Sequence, residues 1–551
     1  MAAAIDTHTA SLAIAQEAEL REIADVAADL GLAPDALETY GRFKAKVPPA
    51  AAAHRDRTRG KLVCVTAITP TPSGEGKTTT AISLTDGLWQ LGQRAALCLR
   101  EPSLGPVFGA KGGAAGGGRA QVVPMEDVNL HFTGDIHAIG AANNLLAALL
   151  DSHILHGNEL DIDPSTITWR RCLDMDDRAL RSITAGLGGA KNGEPRDTGF
   201  DITAASEVMA LLSVASDLPD LRHKLGAITV AHTSGGKPVT ADDLDAAGAM
   251  TVLLKDALKP NLVQTLEGRP AFVHCGPFAN IALGTNSLLA DTLALQLADI
   301  VVTESGFGAD MGFEKFVDIA CRVGNLEPAA VVLVATVKAL RYHGEGSLDA
   351  GAANLIRHVE LVRRLGWEPV VAVNAYPDDT LADLHHVREL ALDAGARAAE
   401  IADGFRLGGE GTLALAGAVL RAATRPRKPH ALYPLDATIE EKLTKIAQRC
   451  YGAAGIELSE QAERDIAALT SEGLDDLPVC MAKTPLSLSH DPTLLNAPAG
   501  FTLPIRALRA YTGAGWLTAF CGDVLTMPGL PADAAATHID IDDDGRTVGL
   551  W

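Results

Sequence analysis

Lys77 and Thr78 are the residues whose type and setting most directly imply chemistry. They close the stretch Thr71-Pro72-Ser73-Gly74-Glu75-Gly76-Lys77-Thr78-Thr79. A glycine-bearing loop that runs into a helix aims successive backbone N–H groups and the helix N-terminus at an anion. Lys77 would then reach the terminal phosphates of a nucleoside triphosphate, and the Thr78 hydroxyl would ligate Mg²⁺. The usual pattern G-x-x-x-x-G-K-[ST] asks for glycine at position 71, where this chain has Thr71, and Pro70 and Pro72 stiffen the approach. The plainer reading is an ordinary strand-to-helix turn. It leaves a lysine and three threonines at a helix start without a purpose.

The flanks are those a phosphate loop needs. Lys61–Ile68 (KLVCVTAI) is apolar and β-branched, a buried strand, and Ala81, Leu84, Leu88 and Leu91 repeat at helical spacing up to Gly92. A second strand, Ala95–Leu99, ends in Arg100-Glu101-Pro102-Ser103. Ligands of open α/β sheets bind beyond the carboxyl ends of strands, so this segment belongs beside the phosphates. Gly109–Gly118 holds six glycines in ten residues with Lys111, and Arg119 follows. That composition suits either a flexible linker or backbone wrapped on an anion. Among His137, His153 and His156 no acidic third ligand is spaced for a metal, so capping or solvated histidines are expected.

Further strands are expected at Ala271–Cys275, Ile300–Thr303, Ala330–Val337 and Pro369–Ala375, with helices at Ile14–Leu30 and Asn354–Leu365. Their alternation predicts an α/β fold: a phosphate-loop-containing, mostly parallel sheet, an inserted subdomain, and a smaller α+β C-terminal domain. The expected divisions are 1–150 and 246–428 for the two parts of the nucleotide-binding domain, 151–245 for the polar, irregular insertion, and 429–551 for the C-terminal unit. The basic, proline-bearing Thr424–Pro429 is the linker to that unit, which opens with a helix at Ile439–Cys450 and adds strands at Thr502–Leu508 and Trp516–Phe520.

With 551 residues the chain exceeds one hydrophobic core. A net charge of −22 argues against nucleic acid and against an anionic membrane surface, since both need a basic face. Anionic substrates must be met by local positive sites. Eight scattered cysteines without a C-x-x-C pair fit reduced thiols. The Met1–Asp6 start has no signal-peptide character, and no uncharged apolar run has membrane-spanning length. The expectation is a cytoplasmic protein.

Long blocks from about residue 67 onward resemble one family, formate–tetrahydrofolate ligase. They are TPSGEGKTTT (71–80), LREPSLGPVFGAKGGAAGGG (99–118), QVVPMEDVNLHFTGD (121–135), TWRRCLDMDDRALR (168–181), KPNLVQTLEGRPAFVHCGPFANIALG (259–284), VVTESGFGADMGFEKF (301–316), VATVKAL (334–340), MAKT (481–484) and TMPGLP (526–531). The resemblance implies ATP-dependent joining of formate to tetrahydrofolate, giving 10-formyltetrahydrofolate, ADP and phosphate through formyl phosphate. Formate must approach an anionic γ-phosphate, and two unit charges at 4 Å repel by about 4 kcal/mol at an effective dielectric of 20. Lys77 and Arg100 are accordingly the expected catalytic residues, Arg100 as a bidentate clamp on formate and formyl phosphate; the plainer role for Arg100 is a surface ion pair with Glu101.

Residues 71–79 are expected to hold ATP, with Mg²⁺ on Thr78, and Glu101 to contact a monovalent cation such as K⁺ or NH₄⁺. Asp135 is expected to hydrogen-bond the pterin, and Phe307 and Phe405 to form its walls; core packing is the plainer role for either phenylalanine. Family members are typically tetramers. This chain departs from the family pattern in Phe405 for a tryptophan, Arg119 for a tyrosine, Leu283 for a histidine, Cys275 for a glycine and Glu345 within a Gly-Gly pair, and in a shortened segment before Trp367. The competing readings are a phosphate-loop switch ATPase and a folate-binding homologue altered in catalysis.

Overall fold

The computed structural model of the chain describes residues 7–52, 59–110, 115–425, 429–522 and 524–550. Lys111 and residues 426–428 of the expected linker lie outside the described residues.

A 12-stranded sheet organises the fold. In chain order its strands are β1 (Glu38–Thr39), β2 (Ala45–Lys46), β3 (Lys61–Ala67), β4 (Ala95–Leu99), β5 (Gly116–Gly117), β6 (Ala120–Val123), β7 (Asn261–Thr265), β8 (Pro270–Val273), β9 (Ile300–Glu304), β10 (Pro328–Ala335), β11 (Val370–Asn374) and β12 (Ala398–Ala402). The main path runs β1-β2-β7-β8-β4-β9-β3-β10-β11-β12. From β8 to β12 every pairing is parallel, and the antiparallel strands gather at the β1 side.

Both faces are covered. Leu62, Cys64, Ala96, Cys98, Val331 and Leu333 point into one core, and Val63, Val65, Leu97, Leu99, Val332 and Val334 into the other. That is why these strands read as unbroken apolar runs. The helices used below are α1 (Thr7–Gln16), α2 (Ile23–Asp29), α3 (Lys77–Gln90), α4 (Asp135–Leu155), α5 (Ala247–Leu254), α6 (Val337–His343) and α7 (Leu348–Arg364). β3 lies between β9 and β10, so the loop into α3 opens at the carboxyl edge, near the ends of β4, β9, β10 and β11.

The single helix expected at Ile14–Leu30 is two, α1 and α2. The intervening backbone is taken by tertiary bonds: the Arg21 N–H donates to Gln264 Oε1, Gln264 Nε2 donates back to the Arg21 carbonyl, and Ile23 N–H reaches the Arg42 carbonyl. The expected strand at Thr502–Leu508 is likewise two, Thr502–Ile505 and Ala507–Tyr511, because the chain changes sheets at Arg506: the first pairs with Gly455–Leu458, the second with Trp516–Phe520. The helix expected at Ile439–Cys450 is α-helical to Ile446, with a Thr438/Glu441 capping box, and then widens to a π-type turn through Tyr451.

α4 alone among the described helices is long and apolar enough by composition to cross a membrane. Here it packs on α5 and buries Ile139, Ala142, Leu146 and Leu150. His153 Nε2 accepts the Leu160 N–H and His156 Nδ1 bonds the Ser152 carbonyl, so both close the end of this helix. No cluster of potential metal ligands occurs among the described residues.

Candidate functional site

The loop from Thr71 to Thr79 is held by partners from three strand ends. Gly74 and Gly76 take left-handed backbone, φ +79° and +70°. At Gly76 a Cβ would also come within 2.4 Å of Asn374 Nδ2, so only glycine fits. Glu75 does not face outward. Its Oε1 accepts the Thr71 N–H at 2.7 Å, its Oε2 accepts the Thr336 hydroxyl, and its carbonyl accepts Asn374 Nδ2 at 3.1 Å. Burial raises its carboxyl pKa, against the lowering effect of the Thr336 and Thr71 bonds. Glu75 thus shapes the loop from inside. Ser73 bonds the Thr71 hydroxyl and Lys338 Nζ, while Tyr376 donates to the Gly74 carbonyl at 3.4 Å and carries Lys338 5.6 Å from its ring centroid.

Lys77, Thr78 and Thr79 form the first turn of α3 and are half-buried. The Thr78 hydroxyl donates to Glu304 Oε2 at 2.8 Å. Glu304 ends β9, and its other oxygen lies 3.9 Å from Arg100 Nη2. Arg100 follows the adjacent β4. One carboxylate therefore joins the loop threonine to the expected formate clamp. In the sequence the one mark of Glu304 is that an acid closes an otherwise largely apolar strand, Ile300–Glu304. The Arg100 guanidinium also lies over Gly306, where a Cβ would meet Ala279 Cβ at 2.3 Å and Arg100 Nη1 at 3.2 Å. Phe307, half-buried, follows with φ +58°. A left-handed conformation costs a bulky residue about 1–3 kcal/mol and is kept where surroundings impose it.

Glu101 is buried, and its Oε2 has no hydrogen-bond partner among the described residues. Its carboxyl is pushed well above the usual range by burial and by Asp135, against Lys46 and together with Asp174. An unpartnered carboxylate oxygen among other acids fits a hard cation. Asp135 is engaged within the protein: it accepts Lys46 Nζ at 2.8 and 2.9 Å and Asn261 Nδ2 at 2.8 Å. Lys46, fully buried in a two-residue strand, carried no signal in the sequence.

Phe405 is half-buried. Its carbonyl accepts the Arg119 N–H at 2.8 Å, and its ring lies on the glycine pair that ends the glycine run: Cβ atoms at Gly117 and Gly118 would meet it at 3.1 and 2.9 Å. The preceding Gly404 packs on Ser83 of α3, which brings Phe405 beside the helix that begins at Lys77. Among the departures from the family pattern, Leu283 is fully buried core, Arg119 and Glu345 are exposed, and Cys275 is buried at φ +52°.

The formate–tetrahydrofolate ligase family model matches residues 9–551. The formate–tetrahydrofolate ligase of Roseiflexus sp. (strain RS-1) is 55% identical over 559 residues, covering 98% of this chain and 99% of that protein. Those of Roseiflexus castenholzii (strain DSM 13941 / HLO8) and Desulforamulus reducens (strain ATCC BAA-1160 / DSM 100696 / MI-1) are 53% and 51% identical at the same coverage.

Proposed function

The chain belongs to the formate–tetrahydrofolate ligase family, and from that premise we propose how its residues divide the ATP-dependent ligation of formate to tetrahydrofolate. Residues 71–79 form a phosphate loop that cradles the triphosphate. Lys77 neutralises the terminal phosphates, and Arg100 grips formate in line with the γ-phosphorus. A formate oxygen attacks that phosphorus, ADP leaves, and the two cations hold formyl phosphate in place. The neutral pterin amine then attacks the formyl carbon, and phosphate departs. Positioning carries this second step, with Phe307 and Phe405 as the walls of the pterin slot.

A hydroxyl and a carboxylate, Thr78 and Glu304, are the oxygen donors suited to Mg²⁺, which when bound supplies charge neutralisation at the phosphates. Glu101 would hold a monovalent cation. The observation that carries the reading is the Glu304 carboxylate between Thr78 and Arg100, which links the nucleotide loop to the formate clamp. The unit divisions 1–150, 151–245, 246–428 and 429–551, a cytoplasmic location and a homotetramer belong to the same proposal.

ATP consumption with formate and tetrahydrofolate each present or omitted tests it. ADP and phosphate should form in full turnover only with both. Formate-independent hydrolysis at the same rate would restore the switch-ATPase reading, and folate binding without turnover would leave the altered homologue.

A further inference from the structure

The MAKT block places a lysine where a lysine is costly. Lys483 follows the strand Val479–Ala482 of the C-terminal unit and is fully buried. A buried ammonium persists only when its charge and donors are matched. Its Nζ donates to Asp310 Oδ2 at 2.8 Å, to the Thr484 carbonyl at 3.1 Å and to the Ser487 carbonyl at 2.5 Å, and lies 4.9 Å from the Tyr451 ring centroid.

Asp310, also fully buried, lies three residues beyond the left-handed Phe307. Its Oδ1 stands against the intervening turn: a Cβ at Gly308 would meet it at 2.6 Å. The same oxygen is 3.4 Å from His358 Nε2, whose Nδ1 donates to the Asn354 carbonyl. Burial alone would raise the Asp310 carboxyl, but Lys483 and His358 outweigh it and hold the carboxyl well below the usual range.

We propose that Lys483 is a positioning residue for tetrahydrofolate, fixing Asp310 and through it the strained Phe307 turn, so that the C-terminal unit sets the pterin wall. This rests on the reading of Phe307 as that wall. The nucleotide side shares part of this cluster, since Thr69 Oγ1 lies 3.5 Å from His358 Nε2 and the Asn354 that His358 bonds also holds Thr69, but it has further ties. Thr69, at the start of the phosphate loop, donates its N–H to Asn354 Oδ1 and accepts Asn354 Nδ2, and its carbonyl bonds His343 Nε2. Asp310 lies three residues from Phe307 and reaches Thr69 only through His358, so loss of Lys483 should fall more heavily on folate than on ATP.

The test measures KM for tetrahydrofolate, formate and ATP in Lys483→Met, in Asp310→Asn/Lys483→Met, in Phe307→Ala, and in Phe307→Ala combined with the double change. The double variant removes the unpaired buried charge that the single change leaves, and so remains informative if Lys483→Met does not fold. Expected is a rise of tenfold or more in KM for tetrahydrofolate with a rise in KM for ATP at least threefold smaller, and no further rise in tetrahydrofolate KM when the double change is added to Phe307→Ala. A folded double variant with unchanged tetrahydrofolate KM, beside a Phe307→Ala that raises it, overturns the positioning role and leaves the wall. Multiplicative effects overturn it too. Phe307→Ala without effect removes the wall reading and the positioning role with it.

Discussion

Glu304→Gln is the sharpest perturbation of the site, because it removes one charge while keeping shape and an acceptor for Thr78. Two contacts weaken. The hydrogen bond from the Thr78 hydroxyl loses its charged acceptor; bonds to charged groups contribute about 1.5–3 kcal/mol against about 0.5–1.5 for neutral ones, a difference of about 1 kcal/mol. The Arg100 attraction at 3.9 Å also goes. Its Coulomb value is about 4 kcal/mol at an effective dielectric of 20. With the Arg100 side chain 28% exposed, screening leaves about 1–2 kcal/mol. Together, about 2–3 kcal/mol of organisation is lost, which corresponds to roughly 30- to 150-fold in kcat/KM if it is all expressed in the transition state.

The assay is kcat/KM for ATP and for formate across a Mg²⁺ titration, with a thermal melt as control. The expected signature is a joint loss on both substrates and a higher Mg²⁺ requirement, because Glu304 touches the residue proposed for the metal and the residue proposed for formate. A variant within threefold of the parent, with unchanged Mg²⁺ dependence, would refute the bridging argument and make the Glu304 contacts incidental to catalysis.

Arg100→Lys should raise formate KM and lower kcat with little change in ATP affinity, since a point charge cannot reproduce the bidentate fork; weakened ATP with unchanged formate would reassign Arg100 to the triphosphate. Phe405→Trp should tighten tetrahydrofolate by about 0.5–1.5 kcal/mol and Phe405→Ala should weaken it, read as Kd; indifference to both would make Phe405 core packing on Gly117 and Gly118. Asp291→Asn should stabilise the protein more at pH 8.5 than at pH 5: burial raises its carboxyl to about 7, so the folded state disfavours its ionisation and stability falls as pH rises toward that value, and equal melting shifts at both pH values would contradict this. Doubly ¹⁸O-labelled formate should deliver one label to inorganic phosphate and keep the other in the formyl group; label in AMP would mean adenylation instead.

The central sheet was legible because its strands are buried on both faces and so appear as continuous apolar runs, Ile300–Glu304 and Pro328–Ala335 most plainly. The loop was legible because glycine, lysine and threonine follow one another locally. What the sequence concealed were contacts made at long range by residues that look like surface. Lys46 finds Asp135 across 89 positions, Lys483 finds Asp310 across 173, and Thr78 finds Glu304 across 226. Nothing adjacent to Lys46 marks it as buried, and Lys483 looks like the polar end of its strand. The break between α1 and α2 has the same origin: local periodicity favours one helix, and Gln264 takes the backbone that would have continued it.

The same distinction explains how a protein of net charge −22 can gather anionic substrates. Two kinds of cation stand out among the residues of the site and its supports. Lys46 and Lys483 are fully buried, and the carboxylates of Asp135 and Asp310 answer their charge, so their field is spent inside the fold. Lys77 and Arg100 are half-buried and Lys338 is exposed, and all three border the one loop at the carboxyl edge of the parallel strands. On the proposed assignment, Lys77, Arg100 and Lys338 would supply the local positive charge where the γ-phosphate and formate meet, in a molecule that is acidic as a whole.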